Sequence, residues 1–163
     1  MPTVLTRVIK INRTGSTDLT VPPLGTAGSQ AIAVPGGDLV KLVAGAVTAI
    51  VAGTTLTTER IAAQNTPTAS GVIAGVLVDI EKFDDDSELE LPFATVTDTA
   101  ANATGAVIGS QVDLRKSASG VFIACSNSTA NPKLEILRLG TTYPLTDNFN
   151  TVVCRVLPLG RLA

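Results

Sequence analysis

Between Gly36 and Gly53 apolar side chains occupy both sets of alternate positions. Leu39, Lys41 and Val43 alternate with Val40 and Leu42; after Gly45, Val47, Ala49 and Val51 alternate with Thr48 and Ile50. Short strands covered on both sides, in a closed or sandwiched β structure, carry this pattern, whereas a half-exposed sheet shows one polar face. The Pro35-Gly36-Gly37-Asp38 turn opens the stretch and Gly45 divides it, which predicts a hairpin. A helix over 46–63 is opposed by Gly53, the Thr54-Thr55 and Thr57-Thr58 pairs, and the β-branched Val47, Ile50 and Val51.

The same reading predicts short strands at 31–34, 59–63, 72–80 (broken at Gly75), 88–91, 107–115, 121–125, 133–139 and 151–158. Turn-rich segments separate them, among them Lys116-Ser117-Ala118-Ser119-Gly120, read as a hairpin turn. Residues 94–106 read as an extended loop and 159–163 as a short tail. Gly36, Gly45, Gly53, Gly71, Gly109 and Gly120 fall at turns and read as structural rather than ligand-cradling. The fold class expected is all-β, a small β-barrel or sandwich of about ten short strands with an extended N-terminal arm. Residues 1–30 form that arm and 31–163 the β domain. In the arm a strand-like run, Val4, Leu5, Val8, Ile9 and Ile11, carries Arg7, Lys10 and Arg13, and turn formers follow it closely. A segment this dense in turns cannot build its own core, so it reads as an arm that orders against the domain or a neighbouring subunit, the alternative being a frayed terminus with one edge strand.

Composition changes the picture in one respect. Hydrophobic residues make up 45% of the 163, aromatics 3% and charged residues only 16%, against the usual quarter. The core must be built of Val, Leu, Ile and Ala, and so lightly charged an exterior favours cover by other subunits, the alternative being a monomer with a Ser/Thr/Asn-rich exterior. The net charge of −2 and the singly scattered Lys and Arg argue against a nucleic-acid partner. No charge-free run of about 18 apolar residues suggests a membrane span, and the N-terminus lacks the basic-then-apolar pattern of a secretory signal.

Catalytic chemistry finds little to work with. The chain has no histidine, the commonest general base and zinc ligand. Cys125 and Cys154 are not in a Cys-x-x-Cys spacing and read as buried free thiols, a cross-strand disulfide being the alternative. Asp84-Asp85-Asp86 lacks the alternating ligands, central Gly and distal Glu of a calcium loop and reads as a solvated turn. Asp79, Glu81, Asp98, Asp113 and Glu135 could pair across strands, but glycoside chemistry also needs stacking aromatics, and there are four Phe and one Tyr. The expectation is a protein that is not an enzyme and holds no cofactor or metal.

Two segments carry a resemblance. Gly37-Asp38-Leu39-Val40-Lys41-Leu42-Val43-Ala44-Gly45-Ala46-Val47 resembles the opening hairpin of the tailed-bacteriophage capsid decoration (cement) proteins. Ile108-Gly109-Ser110-Gln111-Val112-Asp113-Leu114 with Ser119-Gly120-Val121-Phe122-Ile123 is similar to a later hairpin of that family. The likeness runs from Pro35 to Val156 in order of elements and leaves out the N-terminal arm and Asn148-Phe149-Asn150-Thr151. The resemblance implies a virion structural protein, made in the host bacterial cytoplasm and placed on the capsid surface. It would bind the major capsid protein and stabilise contacts between capsid subunits, with self-association as trimer or dimer. Val4, Leu5, Arg7, Val8, Ile9, Lys10, Ile11 and Arg13 would then be capsid-contact residues of the arm. A head-fibre or tail component shares the composition, and a carbohydrate-binding β module is the remaining alternative, weakened by the missing aromatic platform.

Overall fold

The computed structural model describes residues 10–13, 24–28, 30–71, 75–95, 103–126, 131–141, 144, 146–147 and 150–162. The protein is all-β. Among the described residues eleven strands run in the order β1 (Lys10–Arg13), β2 (Leu24–Ala27), β3 (Asp38–Val43), β4 (Ala46–Ala49), β5 (Arg60–Gln64), β6 (Leu77–Glu81), β7 (Ser87–Ala94), β8 (Gln111–Lys116), β9 (Phe122–Cys125), β10 (Leu134–Leu139) and β11 (Thr151–Val156), with single 3-10 turns at Ala103–Gly105 and Pro158–Gly160.

These strands close into two five-stranded barrels rather than one barrel or sandwich. The first runs β2-β4-β3-β5-β6 and closes where β6 pairs with β2. The second runs β7-β11-β10-β8-β9 and closes through a short parallel pairing of β9 with β7. Residues 24–27, assigned to the arm by the sequence, are a stave of the first barrel. Their Leu-Gly-Thr-Ala composition hid them, because Gly25 is where the narrow barrel has no room for a side chain. A Cβ built there would stand 2.6 Å from Val47 Cγ2 and 3.3 Å from Ile80 Cδ1.

The doubly apolar hairpin has a specific cause. On β3 and β5, Val40 and Ala62 face the first barrel's interior with Ala27, Val47, Ala49, Val78 and Ile80. The alternate residues Leu39, Ile61 and Ala63 belong instead to the second core, with Phe83, Leu89, Leu91, Phe93, Leu114, Phe122, Leu134, Ile136, Val152 and Cys154. The two barrels therefore share one wall, and a strand in a shared wall is apolar on both sides. Between β3 and β4 the turn residues Ala44 and Gly45 both have positive φ, 49° and 80°. Two such residues in a two-residue loop make the type I′ turn whose twist matches the strands it joins.

Further contacts fasten the barrels. The buried Lys116 at the end of β8 reaches Asp38 at the start of β3 (Nζ to Oδ2 3.6 Å) and lies 4.7 Å from the centre of the Phe122 ring. Gly53 N–H donates to Lys116 O at 2.8 Å, and Thr55 bridges to Arg115. The C-terminal residues, expected only as a tail, return across the junction. Arg161 bridges in parallel to Ile61, and Leu162 packs on the first core. At one end of the first barrel two buried glutamines close a polar ring. Gln30 Nε2 donates to Gln64 Oε1 (2.8 Å), Gln64 Nε2 to Thr68 Oγ1 (3.2 Å), and Thr68 Oγ1 to Gln30 Oε1 (2.5 Å).

Candidate interaction surface

β7 carries a construction that the rest of the sheet lacks. One of its edges is paired with β11 over Glu88–Pro92. The other edge is divided: Phe93 and Ala94 pair with β9, while Ser87–Glu90 pair with β1, antiparallel. The division arises because β9 follows β8, pairing with it over Asp113–Lys116, and meets β7 only at its last two residues. Without β1 the backbone groups along Ser87–Glu90 would form an open strand edge, a template for pairing with another chain.

Of the expected arm residues, Lys10, Ile11 and Arg13 fall in β1, and the register sets Lys10 opposite Glu90, Ile11 opposite Leu89 and Arg13 opposite Ser87. Val4, Leu5, Arg7, Val8 and Ile9 lie outside the described residues.

The outer face beside this edge is a ladder of charges. Arg138 donates twice to Glu88, at 2.7 Å from each nitrogen, Arg155 donates to Glu135 (2.8 and 3.0 Å), and Thr151 Oγ1 donates to Glu90 Oε1 (2.7 Å). A bulge between Ile136 and Arg138 makes this possible. It adds one residue to β10, so Arg138 falls on the outer face and Leu139 returns to the core. The hydrogen bonds from Arg138 hold the Glu88 carboxyl below its ordinary value, more than offsetting a small desolvation.

Apolar side chains stand exposed on both barrels. On the first, Leu24 (59% exposed) and Leu77 (63%) sit diagonally across the β2–β6 pair, with Val76 beside them. On the second, Val107, Ile108 and Leu159 are exposed. A shallow cleft of about 480 Å³ opens at the junction, with Arg60, Gln111 and Lys133 on its polar side and Leu157, Pro158 and Leu159 on its apolar side. Lys133 is buried and donates to Thr57 O at 2.6 Å. Burial pushes its ammonium below the ordinary lysine value, partly countered by Glu59 and Asp113. Lys133 then serves to join the 57–58 loop to β10.

The remaining candidates are structural in their surroundings. Cys125 and Cys154 are buried free thiols on β9 and β11, which are not neighbours in the barrel, and burial pushes the Cys154 thiol up to about 12. In the acidic turn Asp84 Oδ1 accepts from Ser87 Oγ (2.6 Å) and Asp86 N–H (3.1 Å), and Asp85 meets Arg161 at 2.8 Å. Asp79 and Glu81 lie on β6, Asp113 on β8 and Glu135 on β10; Asp98 lies outside the described residues. Among the described residues no group of three or more His, Cys, Asp or Glu could hold a metal ion, and no helix is long and apolar enough to cross a membrane.

Sequence reasoning passed over the Lys116–Asp38 pair and the glutamine ring. For Lys116 a signal existed: it shares parity with the inward Val112 and Leu114. No family model, curated protein or solved structure matches this chain.

Proposed function

We propose that this chain is a structural subunit of a tailed-phage virion, bound to the outside of the head, where it stabilises contacts between major capsid protein subunits. The observation that carries this reading is the exposed apolar set on both barrels, led by Leu24, Val76 and Leu77, on a chain that is only 16% charged. Such side chains gain most where a partner covers them, and contacts too weak singly become strong when repeated over a shell. The resemblance adds to it. Its two segments fall on the β3–β4 hairpin and on the approach to β8 with β9, one in each barrel. A core that spans both barrels suits a subunit that must hold its neighbours at a fixed spacing. Its partners would be the major capsid protein and further copies of itself, as trimer or dimer.

The test is co-sedimentation with empty capsids assembled from the major capsid protein of the genome that encodes this chain. The expected result is that the protein pellets with capsids, and that Leu24→Thr/Leu77→Thr, both exposed and uncharged beside Asp79, weakens binding by tenfold or more, roughly the loss of one to two kcal/mol of apolar contact. A wild-type protein that stays in the supernatant at every concentration overturns the reading.

A further inference from the structure

We propose that the Ser87–Glu90 edge of β7 is a strand-acceptor site, and that when subunits are crowded its occupant is β1 of a second copy of this chain. The slot exists because β9 leaves β7 after two residues, and it spans the four residues that β1 covers. Among the described residues β1 pairs with β7 and with no other strand. The strand seated in the slot is this chain's own Lys10–Arg13, antiparallel against Ser87–Glu90, so a second copy carries a segment whose backbone already fits there.

The connection permits exchange. β1 lies on the second barrel while the next strand, β2, is a stave of the first. Residues 14–23 join them, a length that fully extended reaches roughly 35 Å. The same ladder forms whether β1 comes from its own chain or a neighbour, so the choice rests on concentration. A tethered strand competes at an effective concentration on the order of millimolar, and subunits packed side by side reach that range. Mutual exchange between two copies gives a closed dimer, and cyclic exchange a ring. This inference stands apart from the capsid reading: strand exchange in a protein that ignores capsids would leave it intact.

Cysteine pairing tests it on the full chain. Residues opposite each other in an antiparallel ladder have Cα atoms about 4.5–5.5 Å apart, within disulfide range. Refolding is done under reductant, so Cys125 and Cys154 are buried again before the oxidant is added. Lys10→Cys and Glu90→Cys are made singly and together, one single variant being isotope-labelled. The double variant, dilute, should oxidise within one chain, which reports β1 on β7. The two single variants, refolded together at about millimolar concentration, should give a disulfide-linked dimer containing one labelled and one unlabelled chain, rising with concentration. Failure of the double variant to oxidise shows that β1 does not occupy the slot and overturns the proposal. So does a double variant that oxidises within the chain while the mixture yields no mixed dimer at any concentration.

Discussion

The two barrels have the same number of strands and differ in what fills them. The first is lined by Ala27, Val34, Val40, Val47, Ala49, Ala62, Val78 and Ile80, with Gly25 where even a methyl group lacks space, and a ring of amides and a hydroxyl at one end. The second holds Phe93, Phe122, Leu89, Leu91, Leu114, Leu134 and Ile136, and reaches across the shared wall to Leu39 and Ile61. Closed sheets of equal strand number leave an interior that only matched volumes can fill, since cores pack at crystal-like density. The comparison shows a division of labour. The second barrel supplies the large apolar side chains, and the first is a small closed unit fastened to it by a common wall.

The largest expected effect comes from emptying the second barrel. Phe93→Ala removes a fully buried ring and should destabilise the protein by about 3–5 kcal/mol, read as a lower midpoint in urea. Because Leu39, Ile61 and Ala63 of the first barrel belong to the same cluster, both barrels should unfold together. Two separated transitions, by hydrogen exchange or circular dichroism, would show that the wall is shared in space but not in cooperativity.

Overfilling the first barrel tests the other half. Gly25→Ala places a methyl against Val47, which is fully buried and cannot swing away, and should cost about 1–3 kcal/mol. Val47→Ala in the same chain should restore more than half of that loss, because the two changes share one space. A Gly25→Ala variant as stable as the parent would mean that the first barrel is looser than its side chains imply.

This difference explains what the sequence could disclose. Alternation located β3, β5, β7, β8, β9, β10 and β11 to within a few residues, because Leu, Ile, Val and Phe mark their buried faces. It was silent on β2, since a strand whose inward residues are Gly25 and Ala27 has no large apolar side chain to count. It also read β10 as simple alternation over 133–139, although the bulge before Arg138 shifts the register partway along. The doubly apolar hairpin was legible as a covered strand, but a single barrel was the simplest cover. That the cover is a second barrel follows from contacts between Leu39 and residues far along the chain, which no local pattern encodes. The candidate arm was legible in kind, as a short β segment that must lean on something. Its acceptor was not, because the gap left by β9 on β7 is a property of closure rather than of any stretch of residues.

The smallest predicted effect distinguishes the polar devices of the two barrels. The glutamine ring of the first is uncharged, whereas the second wears ion pairs on its outer face. Glu88 is held below its ordinary value by Arg138, so the folded state favours its charged form. A carboxyl depressed in this way contributes stability that is present above its unfolded value and lost as pH falls through the folded one. Glu88→Gln should therefore cost less than about 1 kcal/mol at pH 7, since Arg138 is half exposed and water screens the pair. The difference from the parent protein should shrink below the ordinary carboxylate range, where Glu88 is protonated and resembles glutamine. Added salt at pH 7 should shrink it too, by screening the same pair. Gln64→Leu in the first barrel's ring should instead lower stability by an amount that neither pH nor salt changes between pH 4 and 7, because nothing in that ring titrates there. A Glu88→Gln penalty that persisted at low pH and high salt would assign the role of Glu88 to the shape of the β7 edge rather than to charge.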